Sequence, residues 1–260
     1  MKPVTVRNLT IGDGNPKICV PITGVTEAEI LQEASVCTGL SADFVEWRAD
    51  WYEHIYDTKR TIDMLCSLRE ILKEMPLLFT FRTAKEGGEK EMAADAYAAL
   101  NLAVAQSGYV DLVDVEAFRE GLEVEKVVAD VQLCGAKVIA SNHDFDGTPD
   151  KEEMIRRLCV MQELGADITK IAVMPQKKTD VLTLMGATEE MCRLYADRPV
   201  ITMSMSGDGV ISRFCGEIFG SAVTFGAASK ASAPGQIAVD ELAHILTLIH
   251  KQILGTSSYT

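Results

Sequence analysis

Short apolar runs alternate with longer amphipathic stretches along the chain, and the alternation repeats eight times, at 18–22, 44–48, 77–82, 110–115, 137–141, 168–174, 200–205 and 222–227. Most runs are rich in β-branched or aromatic residues, which predicts buried parallel strands. The stretches between them carry helix signals. Thr26-Glu27-Ala28-Glu29 is a capping box, followed by Ile30, Leu31, Ala34 and Cys37 at helical spacing. Thr148-Pro149-Asp150 predicts a helix with proline at its first position. Gly135 and Gly165 close helices just before the next strand. Leu242, Ile245, Leu246, Ile249 and Ile253 form an apolar stripe on the last helix.

Eight such units predict an α/β fold, a closed (β/α)₈ TIM barrel. The rival is an open doubly wound sheet, disfavoured because Pro21-Ile22-Thr23-Gly24 is not a dinucleotide-binding glycine motif. Residues 1–16 precede the first strand as an extension, predicted to form a short hairpin or plug. No internal linker divides the 260 residues, so one catalytic domain is expected, with a frayed tail at 255–260.

A formal net charge of −13 argues against nucleic acid or an anionic membrane as partner. An anionic small molecule would need a local cationic pocket. The seven cysteines form no C-x-x-C pair and read as reduced core residues of a cytoplasmic protein. Cys and His do not cluster at ligand spacing, so no metal site is expected. No apolar leader and no membrane-length apolar run is present.

The chemistry concentrates where a barrel places its active site, at the C-terminal ends of the strands. Lys170 stands inside Ile168-Thr169-Lys170-Ile171-Ala172-Val173-Met174, immediately before Pro175. Desolvation disfavours its charged form, and a neutral amine attacks ketones to give a Schiff base. The alternative is a lysine whose head reaches water past the strand end. Glu46 and Arg48 share one strand face, as a substrate-binding pair or a structural ion pair. Arg82 ends the third run, and Gly87-Gly88 beyond it suggests a mobile loop. Asp114 and Glu116 alternate on the fourth run and would balance nearby arginines. His143, at the end of the fifth, suits a proton shuttle. Arg213 follows the seventh run, and Ser232 and Gln236 follow the eighth. Arg48, Arg82 and Arg213 would crowd Lys170, repelling its charge, and would bind a carboxylate.

The combination resembles the type I 3-dehydroquinate dehydratases. It is carried by Phe44-Val45-Glu46-Trp47-Arg48, Phe81-Arg82-Thr83 with Glu86-Gly87-Gly88, Ser141-Asn142-His143-Asp144, Lys170 to Pro175, Met205-Ser206 through Ser212-Arg213, and Ser232 to Gln236. The resemblance runs from about Lys17 to Gln252, nearly the whole chain. It implies dehydration of 3-dehydroquinate to 3-dehydroshikimate on the way to chorismate and aromatic amino acids. It also implies a homodimer and no metal or organic cofactor. It implies Lys170 as the Schiff-base residue, His143 as general acid/base and Glu86 as the group that orients His143. Glu46, Arg48, Arg82, Arg213, Ser232 and Gln236 would bind substrate. Pro21 departs from the pattern, because some members carry a small hydroxyl residue there.

The residues support the same chemistry. An iminium on Lys170 would act as electron sink while His143 removes the adjacent proton and then protonates the departing hydroxyl. One histidine serving both transfers predicts syn elimination. Two rivals are a class I Schiff-base aldolase and a non-catalytic barrel that senses an acidic metabolite. Loops after the last two runs that offer Arg213, Ser232 and Gln236, rather than a phosphate site, favour a carboxylate substrate over the sugar phosphate of an aldolase.

Overall fold

The computed structural model describes residues 1–228 and 235–255. A hairpin of β1 (Val4–Val6) and β2 (Leu9–Ile11) comes first. The barrel strands follow: β3 (Lys17–Ile22), β4 (Phe44–Arg48), β5 (Leu77–Thr80), β6 (Leu112–Glu116), β7 (Lys137–Asp144), β8 (Ile168–Val173), β9 (Val200–Ser204) and β10 (Val223–Phe225). All eight are parallel, in the order β10-β3-β4-β5-β6-β7-β8-β9. The ring closes where Ala222 N donates to Val200 O at 2.8 Å and Val200 bridges to Ser221.

The helices that cover the ring are α1 (Glu27–Cys37), α2 (Thr58–Leu72), α3 (Ala94–Gln106), α4 (Val124–Leu133), α5 (Lys151–Glu163) and α6 (Lys178–Glu190). Two four-residue helices, α7 (Ile211–Phe214) and α8 (Gly216–Phe219), follow β9, and α9 (Val239–Ile253) follows β10. The capping box forms as expected: Glu29 N donates to Thr26 Oγ1 at 3.3 Å, and Thr26 N donates to Glu29 Oε2 at 3.0 Å. Gly135 and Gly165 follow the ends of α4 and α5 with positive φ. Pro149 is not the first helical residue, however. Asp150 is the N-cap, its carboxylate accepting from Glu153 N at 2.9 Å, so the proline lies one residue outside the helix. The stripe on α9 is buried only at Leu242 and Leu246, and Ile253 is exposed.

The period of two along each strand sorts the side chains into two cores. Val45, Trp47, Phe79, Val113, Val115, Val138, Ile171 and Val173 face the helices. Phe44, Leu78, Leu112, Ile139, Ile168, Ile201 and Val223 fill the barrel interior, and Val6 and Ile11 of the hairpin pack into this inner core as a plug. Residues two and four positions later on the same inner face are polar. The files read Phe44-Glu46-Arg48, Leu78-Thr80-Arg82, Leu112-Asp114-Glu116 and Ile139-Ser141-His143. The interior is therefore apolar at the plugged end and charged at the other.

The cysteines are free thiols, but only Cys19 and Cys37 are buried, and the other five are half-buried. No helix among the described residues is long and apolar enough to cross a membrane.

Candidate active site

The charged end of the barrel holds a cavity of about 170 Å³. Lys170, His143, Glu86 and Glu46 line it, as do Arg48, Arg82, Arg213 and Gln236. Eight residues selected at strand ends thus converge on one wall. Ser232 lies outside the described residues. Pro21 is buried in β3 and is not part of the wall. Phe145, Met203, Met205 and Phe225 complete the apolar side.

Lys170 shares the inner face of β8 with Ile168 and Ala172, so strand parity turns it inward. It is 4% exposed, which excludes a head reaching bulk water. Its Nζ lies 4.6 Å from the centroid of the Phe225 ring. Two carboxylates face it, Asp114 Oδ2 at 3.8 Å and Glu46 Oε1 at 4.0 Å. Arg48, Arg82 and Arg213 line the same cavity, as expected, and two of the three are also paired with carboxylates. Arg48 makes a two-pronged pair with Asp50, at 2.8 and 2.9 Å.

Arg82 is the centre of a buried network. It donates to Asp114 Oδ1 at 2.7 Å, to Ser141 Oγ at 3.0 Å and to Glu116 Oε1 at 3.2 Å. Burial opposes its charge, but Asp114, Glu116 and Glu86 outweigh this and hold the guanidinium above the usual arginine range. Balancing arginine charge is the role expected of Asp114 and Glu116. Glu116 also accepts from the Thr83 backbone and hydroxyl, at 2.8 and 2.9 Å, which fixes the chain beyond β5.

His143 and Glu86 form a pair. Glu86 Oε2 lies 2.9 Å from His143 Nδ1 and accepts from the His143 backbone at 3.0 Å, while Asn142 Nδ2 donates to Oε1 at 3.2 Å. Burial pushes the Glu86 carboxyl up to about 7. Burial, reinforced by Arg82, Lys170 and Arg48, drives the His143 imidazole well below its ordinary range. The ring is therefore uncharged at neutral pH. The tautomer that donates Nδ1–H to Glu86 leaves Nε2 as a base.

The segment carrying Glu86 is a tight turn. Gly88 N donates to Thr83 O at 2.8 Å, and Ala84 N to Lys90 O at 3.0 Å. Gly87 has φ +82°, and a Cβ there would meet the Phe145 ring at 2.2 Å. A Cβ at Gly88 would lie 1.9 Å from Arg82 O. Both glycines let the turn press against the site.

Arg213, delivered by α7, is 2% exposed, and burial lowers its guanidinium to about 10. A cation held in so dry a place gains much from an anionic partner. Among the described residues no group of three His, Cys, Asp or Glu side chains could hold a metal ion.

The model of the family described as type I 3-dehydroquinase matches residues 18–253. The chain belongs to this family. A 3-dehydroquinate dehydratase of Clostridioides difficile is 54% identical over 252 residues, 97% of this chain and 99% of that protein. One of Listeria welshimeri is 53% identical, over 97% of this chain and all of that protein (100%). A crystal structure of the type I enzyme from Clostridium difficile, described as carrying covalently modified comenic acid, superposes with a TM-score of 0.94 at 53% identity. The match covers 96% of this chain and 99% of that one. The enzyme of Geobacillus kaustophilus gives 0.92 at 40% identity, covering 99% and 98%. The eight converging residues are thus the candidate site of a type I 3-dehydroquinase.

Sequence reasoning placed Asp114 correctly beside an arginine but missed that it also faces Lys170. Phe225 and Phe145 were missed as well. Parity was the available signal for both, along 223–225 for Phe225 and along 139–145 for Phe145.

Proposed function

We propose that this chain dehydrates 3-dehydroquinate through a Schiff base on Lys170, giving 3-dehydroshikimate by syn elimination. The dehydratase activity, a step of the shikimate pathway, is that of the family to which the chain belongs. The observation that carries the covalent route is a buried lysine at the cavity wall with a histidine on the neighbouring strand lining the same cavity.

The reaction runs as follows. The Lys170 amine attacks the ring ketone, and loss of water leaves an iminium. This cation draws electrons from the adjacent C–H bond, whose proton passes to His143 Nε2. Glu86 holds Nδ1 and stabilises the imidazolium so formed. The resulting enamine expels the β-hydroxyl, which takes the same proton from His143. Water hydrolyses the conjugated iminium and frees Lys170. One base on one face of the ring gives the syn outcome. Arg213 clamps the carboxylate, and Glu46, Arg48, Arg82, Gln236 and Ser232 bind or enclose the rest of the substrate. The covalently modified comenic acid described for the Clostridium difficile relative supports a reactive nucleophile in this chain as well. No step calls for a metal or organic cofactor.

The test is borohydride trapping. Wild-type protein mixed with 3-dehydroquinate should gain the mass of one reduced adduct, mapped to the peptide containing Lys170. Lys170→Ala should gain none and lose nearly all turnover. No adduct in the wild type would defeat the covalent reading.

The homodimer belongs to the same proposal. Ile253 and Leu254, exposed at the end of α9, support an apolar contact surface there. Light scattering at assay concentration decides between one and two copies.

A further inference from the structure

Asp114 has a divided environment. Its Oδ1 is committed to Arg82 at 2.7 Å and Ser141 at 2.6 Å. Its Oδ2 accepts no hydrogen bond among the described residues, although Asp114 is fully buried. That oxygen lies 3.8 Å from Lys170 Nζ. A buried carboxylate oxygen without a donor is costly unless a charge faces it. Glu46 is the other carboxylate near the amine, but its Oε1 already accepts from Thr80 at 2.8 Å, and it lines the cavity. Asp114 does not line the cavity and sits behind the amine. Substrate cannot displace it.

We propose that Asp114 is the counter-ion that holds positive charge on the Lys170 nitrogen, first as ammonium and then as iminium. The proposal rests on the Schiff-base reading. Condensation starts from an ammonium and ends at an iminium, with a proton given up in between so that the nitrogen lone pair can attack the carbonyl carbon. The C=O bond breaks as C=N forms, two N–H protons leave with the ketone oxygen as water, and one proton stays. Oδ2 therefore faces a cation before and after the bond is made. The ties from Arg82 and Ser141 hold it in place, and the Phe225 ring covers another side of the nitrogen. A fixed negative group beside the iminium stabilises the species that makes the adjacent C–H bond acidic.

The experiment compares Asp114→Asn with Ser141→Ala. The first removes the charge while leaving an oxygen able to accept from Arg82 and Ser141. The second removes only one tie to Oδ1. Each variant is mixed with 3-dehydroquinate, quenched with borohydride and weighed. Asp114→Asn should trap at least about tenfold less adduct than wild type, with kcat down about 10²-fold and KM within about threefold. Ser141→Ala, which keeps the charge, should trap clearly more adduct than Asp114→Asn. Undiminished adduct in Asp114→Asn would overturn the proposal. So would accumulation of adduct, since that outcome places the damage at His143, reached through Arg82 and Glu86. An equal loss in Ser141→Ala would also overturn it. If Asp114→Asn does not fold, Asp114→Glu, which keeps the charge, takes its place. Adduct above about a tenth of wild type then supports the counter-ion, and less than that overturns it. Absence of adduct in the wild type is a separate result and strikes the Schiff-base reading itself.

Discussion

His143 carries two of the proposed proton transfers, and its surroundings set what its loss should do. Lys170 is not hydrogen-bonded to it, so His143→Ala leaves the nucleophile in place. Imine should still form and then stall, so that trapped adduct accumulates while turnover falls about 10²–10⁴-fold. Wild-type rates in this variant would remove the histidine from its role. Glu86 supplies a stability prediction. Its carboxyl titrates near 4.5 in an unfolded chain and at about 7 in the folded one. A raised folded value means that the contribution is fully present below pH 4.5 and is lost as pH rises through about 7. The shift corresponds to about 3 kcal/mol as an upper figure. Melting curves should therefore show wild type losing stability relative to Glu86→Gln between pH 4.5 and 7, with a constant gap above. A gap that does not change with pH would refute the assignment. Most of these residues were legible in the sequence because charge within an apolar strand stands out. The pairing of Asp114 with Lys170 was not, since it joins β6 to β8 over the intervening β7 and no local pattern encodes that contact.

At the scale of elements, the strands were readable because burial on both faces makes them continuously apolar, and their inner files could be counted off by twos. The close packing of the turn at 83–90 was not legible for a physical reason. Glycine permits both an open loop and a close approach, and only the neighbouring backbone decides which. Here Arg82 O occupies the space a side chain would need. Gly88→Ala should cost about 1–3 kcal/mol in denaturant unfolding. Because the displaced atoms belong to Arg82 and the turn that carries Glu86, kcat should fall at least about tenfold as well. Unchanged kinetics would mean that the turn relaxes without moving Glu86. The start of α5 shows the same ambiguity on a smaller scale, where Asp150 outcompetes Thr148 as cap because its carboxylate reaches Glu153 N.

The whole molecule separates stability from chemistry along the barrel axis. Ile11 is fully buried in the inner core at the plugged end, while the site occupies the other. Ile11→Ala should cost about 2–5 kcal/mol of unfolding free energy. The folded fraction should keep wild-type KM and kcat at a temperature well below the midpoint. A changed KM would show that the two ends are coupled. The −13 charge does not describe the site, whose cavity gathers Lys170, Arg48, Arg82 and Arg213. The seam of the ring has a consequence for synthesis. β10 pairs with β3, Val223 against Lys17, so the first barrel strand waits for the last before its outer edge is covered. Until then a nascent chain shows open strand edges at both β3 and β9. Joining ends so distant in sequence is the slow, entropically uphill event of folding. A chain that ends before residue 223 therefore keeps both edges open to its neighbours, and chaperone dependence should fall once β10 is available to pair.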